Sequence, residues 1–180
     1  MKEFYIVLSQ SGTLTSKFLK ANTKDEFNHA SITFDTTLME MYSFARIHKH
    51  FPLYGGFVKE SKDTGVFGAH KNNALIQILR FETDDDKFEY LKNIVFDMYE
   101  SKKDFKYNLK GVFYARFGKE YHKEKHYFCS EFIKKILIDA NIIDESVLPP
   151  ITKPVDFQSL PAKEIIYFGK LADYNKESWQ

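Results

Sequence analysis

Thiol, imidazole and carboxylate are the groups in this chain that could together move an acyl group. Its one cysteine, Cys129, lies in the run YFCSEFIKKIL, residues 127–137. From Cys129, the residues Ile133, Ile136, Leu137 and Ala140 follow at offsets of four, seven, eight and eleven, the core-facing stripe of a helix. The thiol therefore falls at the N-terminal end of a buried helix face. There, free N–H groups and the positive end of the helix dipole favour thiolate over thiol and lower a cysteine pKa from about 8.5 toward neutrality. The same N–H groups can hold an oxyanion. A small apolar core residue is the alternative reading of one buried cysteine.

A nucleophilic cysteine needs a base within hydrogen-bond reach and a third group to orient that base. Six histidines are available: His29, His48, His50, His70, His122 and His126. His29 opens the alternating run HASITFD, residues 29–35, which puts Ala30, Ile32 and Phe34 on one side and His29, Ser31 and Thr33 on the other. A half-buried strand would hold the imidazole rigidly. LMEMYSFAR, residues 38–46, follows a turn, so the two runs predict a hairpin that brings Glu40 to Ser43 beside the strand of His29. His126, three residues before Cys129, is an alternative base.

Other chemistry finds less support. His122 and His126 are four apart, a spacing that puts two imidazoles on one helix face, but the His-Glu-x-x-His order is missing and Glu124 stands at the wrong offset for zinc. Asp84, Asp85 and Asp86 read as a helix start rather than a calcium loop, and no glycine-rich phosphate loop occurs.

The elements that must position these groups follow from local patterning. EFYIVLS (3–9), ALIQILRFE (74–82) and EIIYFGKL (164–171) predict strands, and LTSKFLKANT (14–23) predicts one or two helical turns. TDDDKFEYLKNIVFDMYESKK (83–103) predicts a helix burying Phe88, Leu91, Val95 and Met98. Residues 48–73, with four glycines and a proline, read as a long irregular loop. That loop and residues 108–126 are the expected walls of a substrate cleft.

The 180 residues, 43% of them hydrophobic, suit one domain spanning 1–180. The 26 basic and 25 acidic residues nearly cancel, so net charge does not point to nucleic acid or an anionic membrane as a partner. One cysteine makes no internal disulfide, and the first apolar run is shorter than a signal-peptide core or a membrane span, so no integral membrane segment is expected and a cytoplasmic location is.

Taken in order, YIVLSQSGTLTSKFLK, NHASITFD, LMEMYSFAR, GGFVKE, KYNLKG and HYFCSEFIKKIL resemble the circularly permuted branch of the NlpC-type, papain-like thiol hydrolases, distant relatives of lecithin:retinol acyltransferase. The most specific pieces are HASI at a strand start and FCSEF at a helix start, with histidine preceding cysteine. The resemblance implies an α+β, papain-like, circularly permuted fold in which an antiparallel sheet packs against helices and the catalytic cysteine opens one of them. It implies Cys129 as nucleophile and His29 as general base, with a polar third group about a dozen positions after the histidine. Met41 stands at the twelfth position and cannot orient an imidazole; Glu40 is the expected third group and Ser43 the alternative. Tyr127 and Ser130 flank the nucleophile and would shape the pocket or serve aromatic packing and helix capping, and Glu131 would cap the helix end or stand as a surface acid of the first turn. The implied activity is cofactor-free hydrolysis of an amide or ester bond in a peptide, amide or acyl-ester substrate through a thioester. A lipid acyltransferase or thioesterase of the same fold, or a binding module that keeps only the cleft, are the alternatives.

Overall fold

A computed structural model describes residues 1–10, 26–48, 51–161 and 164–175, so the helical turns expected at 14–23 lie outside the described residues. In chain order the elements are β1 (Lys2–Gln10), β2 (His29–Thr33), β3 (Met41–His48), β4 (Phe51–Glu60), α1 (Gly65–His70), β5 (Leu75–Thr83), α2 (Asp85–Glu100), β6 (Lys106–Tyr107), α3 (Leu109–Ala115), β7 (His126–Tyr127), α4 (Cys129–Asp139) and β8 (Glu164–Lys170). The fold is α+β. Its main sheet has six strands in the order β4-β3-β2-β1-β5-β8, antiparallel throughout, and β6 and β7 form a small parallel pair.

Strand alternation sorts the apolar side chains onto two faces. Phe4, Ile6, Leu8, Ala30, Ile32, Phe44 and Phe57 pack with α2 and α4 on one face. On the other, Tyr5, Val7, Met41, Ile76 and Ile78 meet Leu38, Phe67 of α1, Leu171 and Tyr174. Because β1 is covered on both sides, Phe4 to Leu8 are all buried, which is why its sequence reads as a continuous apolar run rather than an alternation.

Helix α2 buries Phe88, Leu91, Val95 and Met98, as its spacing predicts, and Asp84 caps it by accepting from the Lys87 N–H at 2.9 Å. Each such side chain contributes about 1.5–3 kcal/mol when fully buried. In α4, Ile133, Ile136, Leu137 and the C-terminal Ala140 are buried, again as their offsets predict.

Within residues 48–73, expected to be an irregular loop, residues 51–60 form β4, an edge strand, and residues 65–70 form α1. Pro52 is tolerable because an edge strand needs hydrogen bonds on one side only. Gly55 is demanded by packing: a Cβ there would stand 2.8 Å from the Ala45 carbonyl oxygen and 2.8 Å from Tyr107 Cβ. The hairpin between β2 and β3 is present, but β3 starts at Met41, leaving Glu40 in the turn. Among the described residues, no helix is long and apolar enough to cross a membrane.

Candidate active site

Histidine 29 is the first residue of β2, where the Asn28 N–H donates to the Ser9 carbonyl at 3.1 Å and continues the ladder to β1. Cys129 is the first residue of α4, buried to 6% exposure, with the apolar stripe behind it seated on the sheet. The two side chains face each other closely enough that each shifts the other's ionisation. The backbone N–H groups of Ala30 and Ser130 also favour the charged form of the sulfur. The β2–β3 ladder is registered at Ile32 opposite Tyr42, two residues beyond Ala30.

The carboxylate on the imidazole belongs to Glu60, not to Glu40. Glu60 Oε2 lies 3.0 Å from His29 Nε2 and accepts from Ser31 Oγ at 2.8 Å and Ser43 Oγ at 2.7 Å. An ionised carboxylate only accepts, so Nε2 carries the proton and Nδ1 is the nitrogen left for the thiol. Glu60 ends β4 directly across from Met41, and Ser31 and Ser43 reach it from β2 and β3, so three adjacent strands build the carboxylate's seat. Glu40, expected as the orienting group, is 52% exposed and occupied by Lys59 Nζ at 2.9 Å and the Tyr42 hydroxyl at 3.3 Å. Its place in the turn aims it away from the ring. Ser43, the alternative, does join the site, but it hydrogen-bonds the carboxylate.

Electrostatics follow from this geometry. Burial alone would lower the His29 pKa, but the Glu60 charge and the hydrogen bonds to Cys129 and Glu60 outweigh it and hold the imidazole well above its ordinary value. Burial would raise the Cys129 thiol; the hydrogen bond and charge of His29, with the Ala30 and Ser130 N–H groups, bring it below its ordinary value. For Glu60 burial again works against ionisation, and His29, Ser43 and Ser31 overcome it and keep the carboxyl below its usual range. All three shifts favour the charged forms, thiolate, imidazolium and carboxylate. His29 and Glu60 keep 17% and 14% side-chain exposure, so the pair is not sealed from solvent. Two buried polar atoms beside His29, Ser9 Oγ and Asn28 Nδ2, have no hydrogen-bond partner among the described residues.

The neighbours have structural tasks. Ser130 Oγ donates to the Thr152 carbonyl at 2.7 Å, fixing the start of α4 to the segment before Lys153. Glu131 accepts from the Phe128 N–H at 3.3 Å and from Asn108 Nδ2 at 3.2 Å, which caps α4, and it pairs with His122 Nδ1 at 3.0 Å. Tyr127 packs against Phe44, ring centroids 5.4 Å apart. His126 donates from Nδ1 to the Glu124 carbonyl at 2.8 Å, so that nitrogen is engaged by backbone. His126 lies on β7 and His122 in the turn before it, so they do not share a helix face. Among the described residues no three metal-binding side chains converge. The side chains of His48 and His50 are outside the described set.

Of the expected walls, residues 108–126 supply α3 and the turns after it, and residues 48–73 supply Glu60 itself. Sequence reasoning missed Glu60 because the glycines before it hid a strand. The run GGFVKE, residues 55–60, with β-prone Phe57 and Val58 leading into Lys59 and Glu60, was the available signal. Against known proteins, no family model matches the chain and no curated protein matches it.

Proposed function

We propose that the chain is a cysteine hydrolase of circularly permuted papain-like architecture, cleaving an amide or ester bond in a peptide, amide or acyl-ester substrate. One observation carries the reading: a thiol at a helix N-terminus, Cys129, is set beside an imidazole, His29, that hydrogen-bonds the Glu60 carboxylate. A buried cysteine that served packing alone would need no imidazole beside it. A cleft kept only for binding would not need a thiol drawn below its ordinary pKa.

In this mechanism the Cys129 thiolate attacks the carbonyl carbon, and the carbonyl π pair moves to oxygen. The Cys129 N–H, one of the unspent donors of the first turn of α4, faces the developing oxyanion. Collapse of the tetrahedral adduct breaks the bond to the leaving amine or alcohol, which takes the proton of His29. The neutral imidazole then draws a proton from water as that water attacks the thioester, and the acid leaves as the carbon–sulfur bond breaks, restoring the thiolate beside the imidazolium. Glu60 holds the ring in one tautomer and stabilises its cationic form.

Intact-mass measurement after incubation with a panel of peptides, amides and acyl esters tests the proposal. An acyl adduct should form on the wild type and be absent from Cys129→Ala, and His29→Ala should slow its formation. A protein that forms no adduct and turns over no member of the panel, with its thiol unreactive, would sink the reading.

A further inference from the structure

The near balance of 26 basic and 25 acidic residues conceals a local segregation. Residues 102–125 hold eight Lys and Arg against three Asp and Glu, which leaves 18 against 22 in the rest of the chain. Within that basic stretch α3 and the turn after it carry Phe113, Tyr114 and Phe117, which are 61%, 40% and 61% exposed. They are three of the five large aromatics exposed among the described residues.

Helix α3 is held to the body by its small residue and its cap. Gly111 is its one buried residue, and Asn108 caps it by accepting from the Gly111 N–H at 2.8 Å while donating to the Tyr121 carbonyl and to Glu131. A Cβ at Gly111 would stand 2.3 Å from Asn108 Nδ2, so the bulky side chains must go outward. There they pack on one another: Phe113 meets Phe117 at 5.2 Å and Tyr114 at 6.0 Å, and Tyr114 stacks on Tyr121 at 5.5 Å. Phe113, Tyr114 and Phe117 line neither the cavity beside β4, bounded by Gly55, Tyr99 and Lys102, nor the one beside α4, bounded by Glu131 and Pro149. Exposed Lys110, Arg116 and Lys119 flank the rings.

We propose that this face docks on an anionic lipid surface. Phe113 and Phe117 enter the boundary between headgroups and acyl chains, the tyrosines sit at headgroup level, and Lys110, Arg116 and Lys119 meet lipid phosphates. Charge complementarity selects this occupant: exposed aromatics in a stretch with five more basic than acidic residues, on a chain otherwise richer in acidic ones, match a bilayer with an apolar interior and an anionic rim. A contiguous exposed aromatic patch of this kind has a partner in most proteins that keep one. The reading goes beyond the thioester chemistry and does not depend on it, and its test reads binding rather than turnover.

The experiment is co-sedimentation of the full chain with phosphatidylcholine vesicles, with and without phosphatidylserine. Binding should appear on the anionic vesicles and weaken steeply with salt. Phe113→Ser combined with Phe117→Ser should lower the partition coefficient about tenfold or more, and Lys110→Glu combined with Lys119→Glu should lower it about as much. Both variants alter exposed side chains, and native far-UV circular dichroism verifies their folds. No preference for anionic vesicles, or a double Phe variant that partitions like the wild type, overturns the proposal. So does a dimer in vesicle-free sedimentation velocity that the Phe variant abolishes, or tight binding to a single-stranded oligonucleotide without vesicle binding.

Discussion

Glu60 Oε2 and His29 Nε2 lie 3.0 Å apart although 31 residues separate them in sequence, and the same oxygen takes the hydroxyls of Ser31 and Ser43. If that contact orients the base, Glu60→Gln should cut turnover by about 10²- to 10⁴-fold, because an amide neither fixes the tautomer nor stabilises imidazolium. Glu40→Gln should leave it near wild type. Steady-state kinetics of the two variants checks the ranking, and equal losses would return the role to Glu40.

The thiol should titrate as half of a pair. With Cys129 below its ordinary value and His29 above its own, alkylation by iodoacetamide should remain fast well below the usual thiol range. Turnover should fall on the acid side as the thiolate is protonated and on the alkaline side as His29 loses its proton. His29→Ala should move the alkylation profile upward in pH, and His126→Ala should not. A profile indifferent to His29 would break the dyad.

Cys129 and His29 were legible because each sits in a strongly periodic element whose apolar positions declare which way the first residue faces. The helix stripe behind Cys129 and the alternation after His29 are local signals, and the sheet had only to bring their starts together. The orienting carboxylate was not local. It arrives from β4, a strand disguised by Gly55, whose absent side chain is explained by the close approach of Tyr107, and by Pro52 on an open edge. A search confined to the hairpin partner finds Glu40, which the turn aims at Lys59. Charge was misleading in the same way: a balanced total says nothing of the basic stretch around α3.

Placement of the thiol depends on the packing of α4. Ile136 and Leu137 are fully buried in the face shared with the sheet, so truncating either to Ala should cost about 2–5 kcal/mol. Urea denaturation measures the loss, and a cost below about half a kcal/mol at both sites is incompatible with this burial.

Stability should carry the imprint of the buried pair at both ends of the pH scale. Glu60 has a lowered folded pKa, so its contribution is complete above the ordinary carboxylate value and is lost as pH falls through the lowered one. His29 has a raised folded pKa, so its contribution is complete below the ordinary imidazole value and is lost as pH rises through the raised one. Denaturant midpoints of the wild type should therefore fall on the acid flank and again on the alkaline flank. Glu60→Gln should remove its own acid-flank loss and, by taking the charge that holds His29 protonated, shrink the alkaline one as well. His29→Ala should flatten the alkaline flank while leaving a buried carboxylate without its cation, so its midpoint should be lower near neutrality than that of Glu60→Gln. Unchanged pH dependence in both variants would mean that the pair is not ionised in the folded protein.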